Sequence, residues 1–75
     1  MSENGMTIEF GAFAPKMSEQ LKGRISPKAG KRLDHLAHSL DMVRIHGIIT
    51  DAEADRARNR MMKQIREAIW EHENP

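Results

Sequence analysis

The sequence predicts an all-α protein: an antiparallel two-helix hairpin with an extended N-terminal arm that carries a short extra helical turn. Two observations lead to this fold class. Apolar residues recur every three or four positions over two long segments, and helix-capping residues stand at the start of each segment. In addition, 75 residues without cysteine permit one small domain and no disulfide. The core of so short a chain gives only marginal stability, so we expect oligomerisation to complete the fold.

The first 25 residues differ in character from the rest of the chain. Residues 1–5 are polar and predict a disordered tail. Residues 6–25 form the predicted arm, which alternates like an extended segment until Pro15 and then makes a helical turn over residues 18–22. Because Phe10 and Phe13 are apolar, we expect the arm to cover the hairpin or a neighbouring subunit. A strand-like edge that pairs with another chain is the alternative.

The hairpin is assigned to residues 26–75, and its first helix is predicted from Pro27 to His46. Ser26 supplies the N-cap hydroxyl, and proline is favoured at the first helical position because its missing N–H costs nothing there. Gly47 ends the helix, since glycine tolerates a left-handed backbone. The apolar seam between these ends consists of Leu33, Leu36, Leu40 and Val43.

The second helix is predicted from Asp51 to about His72. Thr50 and Glu53 have the spacing of a capping box, in which each residue's side chain bonds the other's backbone N–H. So short a connection requires the two helices to be antiparallel. The apolar stripe of this helix comprises Ala54, Ala57, Met61, Ile65, Ala68 and Ile69.

The net charge is +1, but the charged residues are arranged along the chain in blocks of alternating sign. Six bases oppose one acid over residues 16–32, four acids oppose one base over residues 33–53, five bases oppose one acid over residues 54–66, and three glutamates follow. An antiparallel hairpin brings unlike blocks together, so we expect Asp41 near Arg56 and Asp34 near Lys63. A nucleic-acid footprint is the alternative interpretation of the same blocks.

Several side chains remain for contacts outside the hairpin core. On the first helix, a stripe that includes His35 lies opposite the leucine seam and suggests burial against another copy or the arm. Trp70 faces away from the apolar stripe and is expected to pack under the arm or at a subunit contact, or to pair with Arg66. The predicted partner or oligomer contacts are Phe10, Phe13, His38, Met42, Ile45 and Trp70.

Basic residues of the second helix are the candidates for an anionic ligand, namely Arg56, Arg60, Lys63 and Arg66. Together with Arg58 they spread around too much of the helix circumference to predict one recognition stripe. A second basic set that could join them in nucleic-acid binding comprises Arg24, Lys28, Lys31 and Arg32.

Several classes of function are not expected. His35 and His38 have a metal-compatible spacing, but without cysteine the other ligands of a zinc site are missing, so no metal and no cofactor is predicted. The chain has no phosphate loop, nucleophile–histidine–acid set or H-E-x-x-H motif, and we predict that it is not an enzyme. It has no secretory leader and no apolar run that could span a membrane, so no membrane partner and a cytoplasmic location are expected.

Residues 10–15 (FGAFAP), 18–21 (SEQL) and 46–56 (HGIITDAEADR) resemble small uncharacterised helical proteins encoded by bacteriophages. The resemblance implies an accessory protein of the host-cell cytoplasm, active against host defence by binding a host protein or sequestering a small signalling nucleotide. Three hypotheses follow. They are a homo-oligomeric binding protein of this kind, a nucleic-acid-binding helical module, and a structural subunit of a larger assembly.

Overall fold

The chain is all-helical in a computed structural model that describes residues 7–75. It forms α1 (Met17–Gln20), α2 (Pro27–Ile45) and α3 (Asp51–Glu73). Residues 7–75 contain no strand, and pairing of the arm with another chain stays a prediction. The tail predicted for residues 1–5 lies outside the described residues. Among the helices of residues 7–75, none is both long enough and apolar enough to cross a membrane.

The caps of α2 are those that the sequence predicts. Ser26 Oγ accepts a hydrogen bond from the N–H of Ala29 at 3.1 Å. At the other end Gly47 has φ +66°, and the N–H of Ile48 donates to the carbonyl of Val43 at 2.9 Å. This pair of features is a Schellman ending, which satisfies a carbonyl that the last turn would otherwise leave open. The helix stops at Ile45, one residue before the predicted end, with His46 as its C-cap.

α3 begins with the predicted capping box. Thr50 Oγ1 accepts from the N–H of Glu53 at 3.1 Å, and the N–H of Thr50 donates to Glu53 Oε1 at 2.8 Å. The hydrogen bond that the Thr50 N–H donates to the Glu53 carboxylate, together with the nearby Thr50 hydroxyl, holds the pKa of Glu53 below its ordinary value, because it favours the charged carboxylate. The helix continues to Glu73, one residue beyond the predicted end.

The core lies where α1, α2 and α3 meet. Leu21, Leu33 and Ile65 are its most completely enclosed side chains. The predicted stripe of α3 is buried apart from Ala57, which is half-buried. Leu36 is 37% exposed, so one side of the predicted seam stays open and the arm does not cover it. The other buried members of the core are Met17, Ile25, Ala29, Leu40, Ala54, Met61, Ala68 and Ile69.

α1 is held on α2 by a close approach and by two hydrogen bonds. A Cβ added at Gly30 of α2 would lie 3.1 Å from Ser18 Cβ, so the missing side chain is what lets α1 come so near. Asp34 then accepts from Ser18 Oγ at 2.6 Å and from the Ser18 N–H at 3.0 Å. The turn predicted over residues 18–22 begins one residue earlier, at Met17, and closes through Gly23 with φ +83°.

The pKa of Asp34 is shifted by the contacts that dock α1 on α2. Burial acts to raise the pKa, but the hydrogen bonds from Ser18, a backbone bond from Met17 and the charge of Lys16 outweigh it and hold the pKa below its ordinary value. Asp34 therefore helps to hold α1 against α2 through its hydrogen bonds with Ser18. The prediction that it lies opposite Lys63 as a charge partner is wrong, because its carboxylate oxygens are taken by Ser18.

Candidate interaction surfaces

The arm covers less apolar surface than expected. Gln20 anchors it by donating to the carbonyl oxygens of Pro15 at 2.7 Å and Glu9 at 3.1 Å, while its own side-chain oxygen accepts from the N–H of Glu9 at 2.9 Å. Phe10 is half-buried against the core. Phe13 points away from the fold and is as exposed as in an open chain, at 103%. The two phenylalanines therefore have different roles.

The outward face of α2 is the first candidate surface. Met42 and Ile45, three residues apart on one face, are 39% and 63% exposed. His38 lies one turn earlier and lines a groove of about 370 Å³ between the arm and α2, which Phe10 also lines. The structure thus brings Phe10 and His38 together, and it leaves Met42 and Ile45 uncovered beside them.

Trp70 of α3 is 63% exposed, so the prediction that the arm packs over it is wrong. Contact with another subunit stays a prediction. The indole lies four residues after Arg66 and seven after Lys63, which places these three side chains along one side of the helix.

The basic residues of α3 divide into two groups. Arg58 is half-buried and pairs with Asp55 one turn before it. The other four are exposed at spacings of four, three and three, so they share the outward half of the helix. Arg58 is thus separated from the other four, so the five basic residues together do not form one stripe, as the sequence predicts. These four are Arg56, Arg60, Lys63 and Arg66.

The expected ion pairs between α2 and α3 do not form. Over residues 7–75 the ion pair of Asp55 with Arg58 is the only one within 4.0 Å, and it lies within a single helix. Asp41 and Arg56 in particular do not form an ion pair. Most charged side chains of α3 are therefore available to other molecules.

A groove of about 480 Å³ between α2 and α3 was not predicted from the sequence. Its apolar part is formed by Leu36, Leu40, Val43, Ile49, Ala57 and Met61. Arg56 and Arg60 line it together with the polar side chains of Ser39, Glu53 and Gln64. Among residues 7–75, none from the arm or α1 lines it. The groove thus joins partly exposed apolar side chains to two free guanidinium groups.

The histidines of α2 have no metal-like surroundings in the described chain. No group of three or more histidine, aspartate or glutamate side chains converges over residues 7–75. His35 and His38 are exposed and line the groove beside the arm. They are best treated as surface or contact residues.

Comparison of the chain with protein-family models, with curated proteins and with solved structures found no match.

Proposed function

We propose that this chain is a small non-catalytic binding protein that self-associates and acts by holding another molecule. The observation that supports this proposal is the exposure of large apolar side chains. Phe13, Ile45, Ile48 and Trp70 are each more than 60% exposed, and Met42 is 39% exposed. Met42 and Ile45 adjoin each other on one face of α2, and an exposed apolar patch of this kind is typical of a contact surface.

The energies support self-association. Completely burying a large apolar side chain, whether on the outward face of α2 or at the partly exposed Leu36, Val43 and Ile49 between α2 and α3, stabilises an assembly by roughly 1.5 to 3 kcal/mol. A core as small as this one supplies about 5 kcal/mol or less, so two or three such contacts per subunit would be comparable with the stability of the monomer. Folding and association are then coupled.

The kind of target follows from the chemistry of the outward face of α2. Met42 and Ile45 with His38 offer an apolar surface beside Asp41, which suits a protein interface better than an anionic nucleotide. With the resemblance to phage proteins, this supports a counter-defence role in the host cytoplasm by capture of a host protein. Sequestration of a small signalling nucleotide would instead use the arginines of α3.

Self-association is tested directly by sedimentation velocity and by thermal melts at several protein concentrations. We expect a dimer or larger species at micromolar concentration. We also expect a melting temperature that rises with protein concentration, since a second copy binds, and so stabilises, only the folded state. A monomer at all concentrations, with a melting temperature independent of concentration, would refute the proposal.

Nucleic-acid binding is the second candidate. It is supported by the outward half of α3, where Arg56, Arg60, Lys63 and Arg66 are exposed without ion pairs in the described chain and Trp70 follows them. Basic residues beside an exposed aromatic ring are typical of surfaces that follow a phosphate backbone and stack a base. Glu67 lies among them and weakens the local positive potential.

A salt titration distinguishes this candidate. If the four basic residues neutralise phosphates, the affinity for single-stranded DNA should fall with salt along a slope of about −0.7 per contact, near −3 in total. Fluorescence anisotropy of a labelled oligonucleotide measures that slope. Replacing Lys63 by alanine should make it shallower by about 0.7, and affinity that is absent or independent of salt would exclude the candidate.

A further inference from the structure

α3 carries a second seam, beside the one that faces the core. Its members recur at spacings of four and three, one residue before the inward set, and they are Glu53, Ala57, Arg60, Gln64, Glu67 and Glu71. Side chains at these spacings share one face of a helix, the face that would meet a second helix lying alongside. Glu53, Ala57, Arg60 and Gln64 of this seam line the groove between α2 and α3. The second seam therefore borders the open side of the molecule.

After Glu53, which the capping box holds at the start of the helix, the charges along this side of α3 change sign halfway. The first half presents Arg56 and Arg60, and the second half presents Glu67 and Glu71. All four side chains are exposed, and none belongs to the ion pair that the described residues contain. Within one chain these opposite charges lie too far apart along the helix to meet, since Arg60 and Glu67 are separated by about 10 Å of helical rise.

An antiparallel copy of α3 matches these charges. The two arginines are four residues apart and so are the two glutamates, about 6 Å of helix in each case. A register that places Arg60 against Glu67 of a second copy therefore also places Arg56 against the second Glu71. The two-fold axis that relates the copies repeats both pairs and makes four. A parallel arrangement would instead place like charges together.

We propose that a second copy of this chain docks on the open side of α2 and α3, with the two α3 helices antiparallel and the axis near Gln64. The partner helix covers the groove and shields Leu36, Val43 and Ile49, which the arm leaves partly exposed. Half-buried Ala57 permits a close approach because its side chain is small. The inference rests on the proposed self-association and leaves Met42 and Ile45 free for the target.

Charge reversal with mixing tests the pairing. Arg60→Glu and Glu67→Arg should each raise the dissociation constant of the homodimer about tenfold or more, because each change turns two attractions into two repulsions. Mixing the two variants should restore a heterodimer with a dissociation constant within about threefold of the wild type, since both contacts are then between opposite charges. Sedimentation or native mass spectrometry measures the species, and circular dichroism verifies that each variant is folded.

Two control variants identify which surface forms the dimer. Arg66→Glu changes the net charge as Arg60→Glu does but lies outside the second seam, and it should leave the dissociation constant unchanged. Ile45→Asp should also leave the dimer intact. If Ile45→Asp dissociates the dimer and Arg60→Glu does not, the contact lies on the outward face of α2, which overturns this inference but not the proposed function.

The remaining outcomes are equally decisive. Single reversals without effect, or reversals that weaken the dimer but are not rescued by mixing, overturn the antiparallel pairing. A wild-type chain that is monomeric at every concentration overturns both this inference and the proposed self-association.

Discussion

Replacing Leu33 with alanine should remove most of the stability of the monomer. Leu33 is 0% exposed and sits at the centre of the core. Truncating a leucine at such a site loses transfer free energy and leaves a cavity, at a cost of about 2 to 5 kcal/mol. Because a chain of this length has about 5 kcal/mol or less in total, the variant should be largely unfolded or melt far below the wild type. Urea and thermal denaturation followed by circular dichroism measure the change.

Leu36→Ala is the matched control for this prediction. It changes the same residue type on the same helix, one turn later, where the side chain is 37% exposed. We expect it to cost clearly less than Leu33→Ala, since less surface returns to water and no closed cavity forms. The free energy of unfolding should be measured at low protein concentration, where a second copy does not cover the groove. Equal costs at the two positions would contradict the placement of the core.

The ends of α2 and α3 could be predicted to within one residue because their determinants are local. Ser26 bonds a backbone group three residues away, and Thr50 and Glu53 cap each other over the same distance. Such contacts depend on spacing alone, so a sequence pattern contains everything needed to predict them. The apolar period of α3 is local in the same sense.

The docking of α1 could not be predicted, because it depends on contacts distant in sequence. Asp34 bonds Ser18 sixteen residues away, and Gly30 is needed only because Ser18 lies above it. From the sequence alone, Asp34 was paired with Lys63 by charge and by position along the helices. A neutral hydroxyl and a backbone N–H give no charge signal, although together they bind a carboxylate well.

The candidate surfaces were predicted unevenly. Met42 and Ile45 were expected to be buried against another copy or the arm; the arm leaves them exposed, and burial against another copy stays a prediction. The helical wheel correctly turned Trp70 away from the core. The groove between α2 and α3 was missed, because the arm was expected to cover the hairpin there.

Replacing Gly30 with leucine should detach α1 from the rest of the fold. A Cβ at this position already lies 3.1 Å from Ser18 Cβ and 3.4 Å from Ser18 Cα, so the larger side chain has no space unless α1 moves. Moving it breaks both bonds to Asp34 and exposes Met17 and Leu21, which are 2% and 1% exposed in the intact fold. Losing the burial of these two side chains should cost about 3 kcal/mol or more.

Gly30→Ala separates the loss of α1 docking from a general effect on the helix. Alanine is favoured over glycine inside a helix by about 1 kcal/mol, and its single methyl group requires Ser18 to move by only a few tenths of an ångström. We therefore expect a stability near that of the wild type. Hydrogen exchange should show protection lost at residues 17–25 in the leucine variant and kept in the alanine variant. Protection of residues 17–25 in both variants would mean that the contact between Ser18 and Gly30 does not hold α1 in place.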